Sequence, residues 1–530
     1  MSSASPSQHA MPADHSHWRP RVNPWLIAFA VMLATFMEVL DTSIASVALP
    51  HIAGNLGATT DEATWVLTSY LVSNAIVLPT SAWFGSFFGR KRFLIGCIIL
   101  FTVSSFLCGA ATSLGMLIVA RVLQGAGGGA LQPLGQAILL ESFPPARRGI
   151  AMAVYGVGVV CAPIIGPTLG GWLTDSYSWR WAFYINLPVG ALAVFLIFLF
   201  VEDPPYIQGA KRGRFDAIGF AFLTLWLATL QITLDKGQEA DWFGAVWLRW
   251  FAGISVVSFV CFVIRELRAP FPIVNLRALK NRNFAAGCGV FLIFGAALYA
   301  LVTMLPLFLQ TLMGYTALDA GLTVSPRGLG VLLALAFVGV LVQKVNLRLL
   351  LGFGFTILGM SCFLLSRLNL QMAMTNIITA NLLMGFGMGF IFVPLTTLSV
   401  STLRNDQMGN ATGIQNLMRN VGGSVGISWL STMLARYAQK HQVFLAAHLT
   451  SFDAAYQERL GALRKGFASH FSPVDALQRA QAVIYNTLLQ QAGYWAYVDV
   501  FYLVMWACAL CLLGVGLFHN IKSTRAAALH

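Results

Sequence analysis

The first long apolar run of the chain carries two carboxylates, and this combination limits what the chain can fold into. The run extends from Trp25 to Pro50 and reads WLIAFAVMLATFMEVLDTSIASVALP. At a rise of ~1.5 Å per residue, a helix of this length crosses a bilayer. Glu38 and Asp41 lie deep in the run, and their i, i+3 spacing places them on one helix face. An ionised carboxylate at the bilayer centre costs roughly 3 kcal/mol on insertion scales, so the presence of two in one apolar run calls for a structural or functional explanation.

Two explanations of this carboxylate pair stay open at the level of sequence. In the first, Glu38 and Asp41 lie at the aqueous end of the helix or pair with a basic residue, and their role is structural. In the second, both side chains face a water-filled path and exchange protons. The second explanation predicts a transporter, and the first predicts no particular function.

Composition narrows the class of protein. Of the 530 residues, 57% are hydrophobic and only 10% are charged, which is typical of an all-α, multi-pass membrane protein. The net charge of +13 does not indicate nucleic-acid binding, because the basic residues form short clusters between apolar runs. No phosphate-binding loop, serine-hydrolase, kinase or metalloprotease motif is present, so we expect neither an enzyme nor an ATP-driven pump. We also expect no cofactor and no metal site.

Fourteen apolar runs are long enough to span a membrane. They lie near residues 25–49, 62–84, 93–113, 116–139, 148–173, 181–201, 215–235, 246–265, 284–312, 319–343, 347–367, 374–401, 408–436 and 495–519. An even number of spans places both termini on the same side. Since most of the 33 lysines and arginines lie in loops on that side, the positive-inside rule predicts cytoplasmic termini.

The runs also predict the division of the chain. We expect cytoplasmic tails at 1–24 and 520–530, six-helix bundles at 25–201 and 284–519, and two inserted helices with their linkers at 202–283. The segment 437–494 is polar and lies on the outer side. Within it, Ser472-Pro473-Val474-Asp475 is typical of a helix start. We interpret this segment as a helical hairpin, with a flexible connector as the alternative.

A third charge lies inside an apolar run. Arg121, in the fourth run, must find a carboxylate, carbonyl groups or water, and Glu38 and Asp41 are candidate partners. The fifth run contains Gly166, Pro167, Gly170 and Gly171, which predicts a kinked, closely packed helix. That helix could form a seam between moving bundles or a static pair. Polar and aromatic residues that could line a cavity for an amphipathic molecule are Phe36, Met37, Gln124, Gln132, Tyr155, Tyr299, Gln310, Gln415 and Asn416.

Several of these motifs together resemble one family of transporters. The segment 40–50, LDTSIASVALP, resembles the first-helix signature of the fourteen-helix drug:proton antiporters of the major facilitator superfamily. Arg121 with Gln124-Gly125 resembles the fourth-helix basic motif of that superfamily, and Gly166-Pro167 with Gly170-Gly171 resembles its antiporter motif. The segment 179–190, WRWAFYINLPVG, is similar to the sixth-helix entry of the family. The long segment before the last run resembles the EmrB subgroup in particular.

One motif departs from the family pattern. The loop between the second and third helices normally contains an acidic residue, and here Ser86 occupies that position. Gly89, Arg90 and Lys91 do fit the motif, and the resemblance gives them a role in conformational change. Because the acidic residue is missing, we expect another contact to stabilise the state that this loop usually locks.

The resemblance implies a function and a set of partners. It implies two six-helix bundles with a substrate site between them near the midplane, and drug efflux driven by the proton motive force. Asp41, Glu38 and Arg121 would couple the protons. It further implies a bacterial inner-membrane protein that works with an EmrA-type periplasmic adaptor and a TolC-like outer-membrane channel. A stand-alone exporter of an endogenous metabolite, lipid or siderophore is the alternative.

Overall fold

The structure is a computed structural model, and it describes residues 20–144, 147–204, 215–342, 344–404, 407–450 and 452–518. Most of the predicted cytoplasmic tails lies outside these residues. The described residues form helices and contain no strand, which confirms the prediction of an all-α membrane protein. Thirteen helical segments of the described chain are long and apolar enough to cross a membrane.

The first six predicted spans form the N-terminal half. Its helices are α1 (Pro24–Leu56), α2 (Thr60–Ala63), α3 (Trp65–Phe88), α4 (Arg90–Gly109), α5 (Leu114–Gly128), α6 (Leu131–Ser142), α7 (Arg148–Ser176), α8 (Trp181–Tyr184) and α9 (Asn186–Phe200). The side chain of Asn23 caps the start of α1, and Pro24 occupies its first position, where no N–H is needed. The helix ends at Gly57, whose φ of 64° is the left-handed conformation that stops a helix.

Two inserted helices and a C-terminal half follow. The inserted helices are α10 (Ala217–Lys236) and α11 (Val246–Arg268). The C-terminal half comprises α12 (Arg282–Thr311), α13 (Ala317–Val324), α14 (Pro326–Leu341), α15 (Leu347–Ser366), α16 (Met374–Val400), α17 (Met408–Ala446), α18 (Ala454–Ala468) and α19 (Pro473–Val515). Of the fourteen predicted spans, only α17 is not among the thirteen apolar segments. It nevertheless packs along α12 and α19, and its polar residues are buried between the halves.

The two halves meet at the end of the bundle where α1 begins, which we call the α1 end; the other is the far end. There α3 and α6 pack against α17, and α7 packs against α14. The Thr412 hydroxyl donates to the carbonyl of Pro133 at 3.0 Å. The Asn416 amide donates to Gln136 at 2.8 Å. The halves are therefore closed against each other at the α1 end.

The inserted helix α10 contacts both halves near the far end. Asp235 of α10 accepts a hydrogen bond from Thr68 of α3, and the Lys236 ammonium donates at 2.8 Å to Thr64, the residue before α3. On α17, three side chains bond to α10 or to the residues just after it, in the pairs Ser424–Gln231 at 2.8 Å, Ser428–Leu234 at 2.6 Å and Thr432–Trp242 at 3.0 Å. This helix therefore covers the boundary between α3 and α17.

The segment 437–494 continues from two transmembrane helices past the far end. With 39 and 43 residues, α17 and α19 are longer than the 30-residue α12 beside them, by roughly 14–20 Å at ~1.5 Å per residue. The short α18 joins them and packs on α19. Ser472 caps α19 by accepting from the Asp475 N–H at 3.2 Å, which confirms the predicted helix start.

Candidate functional site

Asp41 pairs with Arg121 inside the N-terminal half. The Arg121 guanidinium donates to Asp41 Oδ2 at 2.6 Å, and neither side chain is exposed. Gln124 Nε2 and Asn186 Nδ2 donate to the other carboxylate oxygen at 2.8 and 2.6 Å. We call these four residues the Asp41 cluster. Because the carboxylate is neutralised and fully hydrogen-bonded, its burial in an apolar bundle is compensated.

Arg121 is held from several sides. Its Nε donates to the carbonyl of Val66 at 3.1 Å, and its Nη1 donates to Gln124 Oε1 at 2.7 Å. The guanidinium also lies over the rings of Tyr70 and Phe183, at 4.3 and 5.6 Å from their centroids. These contacts fix the plane of the guanidinium and stabilise its charge.

Glycines on α5 and just after it bring α3 and α5 close together. A Cβ at Gly125 would lie 2.4 Å from the carbonyl oxygen of Tyr70, and one at Gly129 would lie 2.4 Å from that of Asn74. The absence of side chains therefore lets the backbones of α3 and α5 touch, as in other membrane helix pairs. This approach places Arg121 within reach of Val66 and Tyr70.

Glu38 lies in a different environment from Asp41. Its carboxylate accepts from Tyr70 at 3.3 Å, from Asn74 at 3.2 Å and from Gln132 at 2.7 Å. None of these partners is charged, and Glu38 is 5% exposed. Every partner acts as a donor, which is the arrangement that an ionised carboxylate requires.

Glu38 is linked to the C-terminal half through Gln132. The amide oxygen of Gln132 accepts a hydrogen bond from Arg419 of α17, while its nitrogen donates to Glu38. Arg419 is 6% exposed. Tyr155 of α7 donates to Thr35 at 3.1 Å and lies 3.4 Å from the Gln132 carbonyl oxygen, which closes the cluster on the α7 side. We call Glu38, Gln132 and Arg419 the bridge.

The predicted coupling residues are thus all deep in the protein, but they do not form one group. Arg121 contacts Asp41, and none of its hydrogen bonds in the described structure reaches Glu38. Tyr70 lies between the two carboxylates, since it donates to Glu38 and stacks on Arg121. Among the described residues, no group of three or more His, Cys, Asp or Glu side chains could hold a metal ion.

The residues proposed to line a cavity fall into three sets. Those that are fully buried in contacts of their own are Met37, Gln124, Tyr155, Gln415 and Asn416. Phe36, Gln132 and Tyr299 are partly exposed, and Tyr299 donates to Asn420 of α17 at 3.4 Å. Gln310 is exposed near the far end, one residue before the end of α12. Only the second set is thus partly exposed and away from the far end.

An ion pair lies beside the loop that lacks the usual acidic residue. Arg90, at the start of α4, pairs with Glu141 at the end of α6, and both side chains are buried. Ser86 is exposed and bonds to the Trp83 carbonyl of its own helix at 2.8 Å. A Cβ at Gly409, at the start of α17, would lie 3.5 Å from the Arg90 guanidinium. The pair therefore lies where the halves meet at the α1 end.

The two other residues of this motif are held by the end of α9. Gly89 adopts a φ of 88°, and a Cβ there would lie 2.6 Å from a carboxylate oxygen of Asp203. The Lys91 N–H donates to that carboxylate at 2.8 Å, and its ammonium donates to the Phe198 carbonyl at 2.6 Å. Both contacts remain within the N-terminal half.

The glycines of the predicted antiporter motif pack on α1. A Cβ at Gly166 would lie 2.4 Å from the Ser43 hydroxyl, and one at Gly170 would lie 3.1 Å from the Ile44 side chain, whereas Gly171 meets open space. Pro167 lies between them inside α7. In the described structure, Gly166 and Gly170 thus contact α1 of the same half. Nearer the start of α7, Gly149 and Gly156 face side chains of the C-terminal half.

Sequence reasoning missed two members of these clusters. Asn186 donates to Asp41, and Arg419 completes the bridge, yet neither was predicted to belong to the site. The available signal was an arginine within an apolar run, which Arg419 shares with Arg121. Its partner could not be identified from sequence, because Gln132 lies 287 positions away.

The fold and these buried charges define a class of membrane transporter. Residues 31–427 match the Major Facilitator Superfamily, and the chain belongs to that family. The solved structure of the proton:xylose symporter XylE has a TM-score of 0.57 at 14% identity, over 91% of this chain and 94% of that one. Since the identity is so low, this likeness shows the fold alone.

Curated relatives narrow the class further. The chain is 36% identical to the multidrug export protein EmrB of Escherichia coli (strain K12), over 81% of this chain and 83% of that protein. It is 34% identical to the fatty acid resistance protein FarB of Neisseria gonorrhoeae, over 88% and 90%. The resemblance to the EmrB subgroup that the sequence motifs indicated is therefore confirmed.

Proposed function

We propose that the chain is a proton-driven multidrug efflux transporter that exchanges protons for hydrophobic or amphipathic compounds. The observation that carries the proposal is the pair of carboxylates, Asp41 and Glu38, buried at mid-depth in a transporter fold whose relatives are named multidrug export proteins. Intramembrane carboxylates are costly and rare, and those that a chain keeps mark transport pathways and proton relays. No comparable observation supports an enzymatic function.

The proposed cycle couples the carboxylates to a site between the halves. Asp41 and Glu38 take up protons from the far end and release them at the α1 end. Arg121 favours the ionised form of Asp41 through its charge and its hydrogen bond. A substrate that binds the deprotonated transporter competes with protons, so the inward proton gradient drives the substrate outward. The transporter then needs no cofactor besides the gradient.

We also propose its place in the cell. Lysines and arginines concentrate on the α1 end, which favours cytoplasmic termini and, in a bacterium, the inner membrane. The segment 437–494 then projects into the periplasm. It exposes large apolar side chains, among them Val443, Phe444 and Phe452. Such exposed groups support docking of an EmrA-type adaptor that leads to a TolC-like channel.

Transport in proteoliposomes tests the antiport proposal. With an imposed pH gradient, we expect the wild type to move at least one compound of a panel of lipophilic cations, weakly acidic uncouplers and a long-chain fatty acid. Asp41→Asn should reduce gradient-driven transport at least tenfold, because the pair with Arg121 loses its charge. Equal transport by both proteins would remove Asp41 from the coupling mechanism. A fatty acid as the only substrate would favour an exporter of endogenous lipids.

Deletion of the projecting segment tests the proposed assembly. Replacing residues 443–488 by a short flexible linker should abolish drug resistance in cells and leave gradient-driven transport in proteoliposomes intact. Loss of both activities would show that the segment is needed for folding. Full resistance in cells would favour a stand-alone transporter that releases its substrate into the periplasm.

A further inference from the structure

The bridge joins the two halves through the side chain of Gln132, whose amide orientation is set by its two hydrogen-bond partners. Gln132 donates its amide hydrogens to Glu38 at 2.7 Å and accepts from Arg419 with its oxygen. The reverse orientation is unfavourable, because arginine has no acceptor and an ionised carboxylate has no donor. Gln132 thus presents its oxygen to the C-terminal half as long as Glu38 is ionised.

Protonation of Glu38 would disrupt this arrangement of hydrogen bonds. A carboxylic acid must donate its hydrogen, yet Asn74 and Gln132 present donors to Glu38, and the Gln132 oxygen is already engaged by Arg419. If Gln132 turned its amide to accept the proton, its nitrogen would face the guanidinium, donor against donor. If Tyr70 accepted it instead, or if Asn74 turned its amide to accept it, Arg419 would still lose the nearby negative charge. Either outcome weakens the contact between α6 and α17.

We propose that Gln132 is a positioning residue that links the protonation of Glu38 to the closure of the α1 end. Ionised Glu38 holds α17 on α6 through Gln132 and Arg419, and protonated Glu38 releases it. This inference rests on the proposed antiport function and deepens it. It gives the direction of coupling, since a proton taken up in the closed conformation opens the α1 end, where the proton can leave and substrate can enter before the bridge forms again.

The surroundings of Glu38 contain other groups that could titrate or carry charge. They are Asp41 on α1, Tyr70 on α3, Arg121 on α5, Tyr155 on α7 and Arg419 on α17. Asp41 and Arg121 neutralise each other within one half, and their contacts do not cross to α17. The Tyr155 hydroxyl meets the bridge at the backbone carbonyl of Gln132, 3.4 Å away. Arg419 is thus the cation that responds to the charge of Glu38.

The same helix pair offers a matched control. Gln136 lies one turn after Gln132 on α6 and also accepts a hydrogen bond from α17, from Asn416 at 2.8 Å. No charged group takes part in that bond. Loss of the Gln136 bond should weaken closure equally at every pH, whereas loss of the Gln132 bond should also remove the dependence of closure on pH.

Distance measurements between spin labels at the α1 end test the inference. Labels at Ser86 and Ser401, both exposed and in opposite halves, would be placed in a full chain with the partly exposed Cys161 and Cys261 changed to Ser. We expect the short-distance population of this otherwise wild-type protein to fall severalfold as the pH is lowered. In Gln132→Leu this fall should vanish, and in Gln136→Leu it should persist from a lower starting population.

Variants of Arg419 test the same inference if the Gln132 variant does not fold. If Gln132→Leu does not fold, Arg419→Lys should keep the pH response and Arg419→Met should lose it. A full pH response in Gln132→Leu or Arg419→Met, or its absence in the parent protein, would overturn the inference. The liposome assay separates this result from the proposed function. If the protein transports with the gradient but Gln132→Leu keeps the full pH response, only the inference is refuted. If the distance responds to pH but no compound is transported, only the antiport function is refuted.

Discussion

Two carboxylates three residues apart on α1 belong to clusters with different mechanical roles. The Asp41 cluster lies wholly within the N-terminal half, where α1, α5 and α9 supply its members. The bridge that starts at Glu38 ends on α17 of the C-terminal half. When the halves move as rigid bodies, the first cluster can stay intact, whereas the second must break. A spacing of i, i+3 puts two groups on one face, but it does not give them one function.

The clusters also differ in how their charge is compensated. Asp41 has a cation in direct contact, and Glu38 has three neutral donors and reaches a cation only through an amide. A direct buried pair is costly to break, since either partner alone remains as an uncompensated charge. An indirect pair loses less when one member changes. The first arrangement suits a permanent contact, and the second suits one that opens and closes.

The largest expected effect comes from breaking the direct pair. Asp41→Ala leaves Arg121 buried without a carboxylate and should cost about 3–5 kcal/mol of stability. Glu38→Ala should cost less, because only neutral donors lose their acceptor. Unfolding of the purified protein in mild detergent, followed by circular dichroism, measures both. The double variant Asp41→Ala/Arg121→Met should be more stable than Asp41→Ala alone. Equal losses for Asp41→Ala and Glu38→Ala would remove the distinction between the clusters.

A smaller effect should separate the packing within a half from the packing between halves. Gly125→Ala would place a methyl group 2.4 Å from the Tyr70 carbonyl, so α3 and α5 must move apart, at a cost of about 1–3 kcal/mol. Gly413→Ala, at the boundary between α17 and α3, meets its nearest atom at an ordinary 3.4 Å. We expect that variant to lose less than ~0.5 kcal/mol. The same unfolding assay compares them, and a reversed order would show that the boundary is the tighter contact.

These differences explain which parts of the fold and of the site could be predicted from the sequence. Hydropathy predicts the number and order of helices because lipid demands long apolar segments. The signal is weakest for α17, whose polar residues face protein. Motifs indicate Asp41, Arg121 and Gln124, whose contacts depend on helices of one half. They do not indicate that Asn186, although it lies within the sixth-helix motif, or Arg419 belongs to the site, because a pattern along one helix says nothing about which distant helix faces it. The α7 glycines show the same limit, since their pattern predicts close packing but not its partner.

The smallest expected effect concerns the inserted helix α10, which bonds to both halves near the far end. Ser428 donates to the Leu234 carbonyl at 2.6 Å, and Ser424 donates to Gln231 at 2.8 Å. Hydrogen bonds between membrane helices contribute on average about 0.6 kcal/mol each. The double variant Ser424→Ala/Ser428→Ala should therefore lose about 1 kcal/mol of stability. Thr229→Ala is the control, since that hydroxyl bonds only to carbonyls of its own helix.

This last variant also sharpens the comparison between the two ends of the boundary. Closure at the α1 end depends, in our proposal, on the charge of Glu38, whereas the bonds of α10 to α17 involve no carboxylate. Removing the two serine hydroxyls should thus leave the pH response of the Ser86–Ser401 distance unchanged. A response shifted as strongly as in Gln132→Leu would mean that α10 takes part in coupling. The boundary between the halves would then act as one unit, with no separate roles for its two ends.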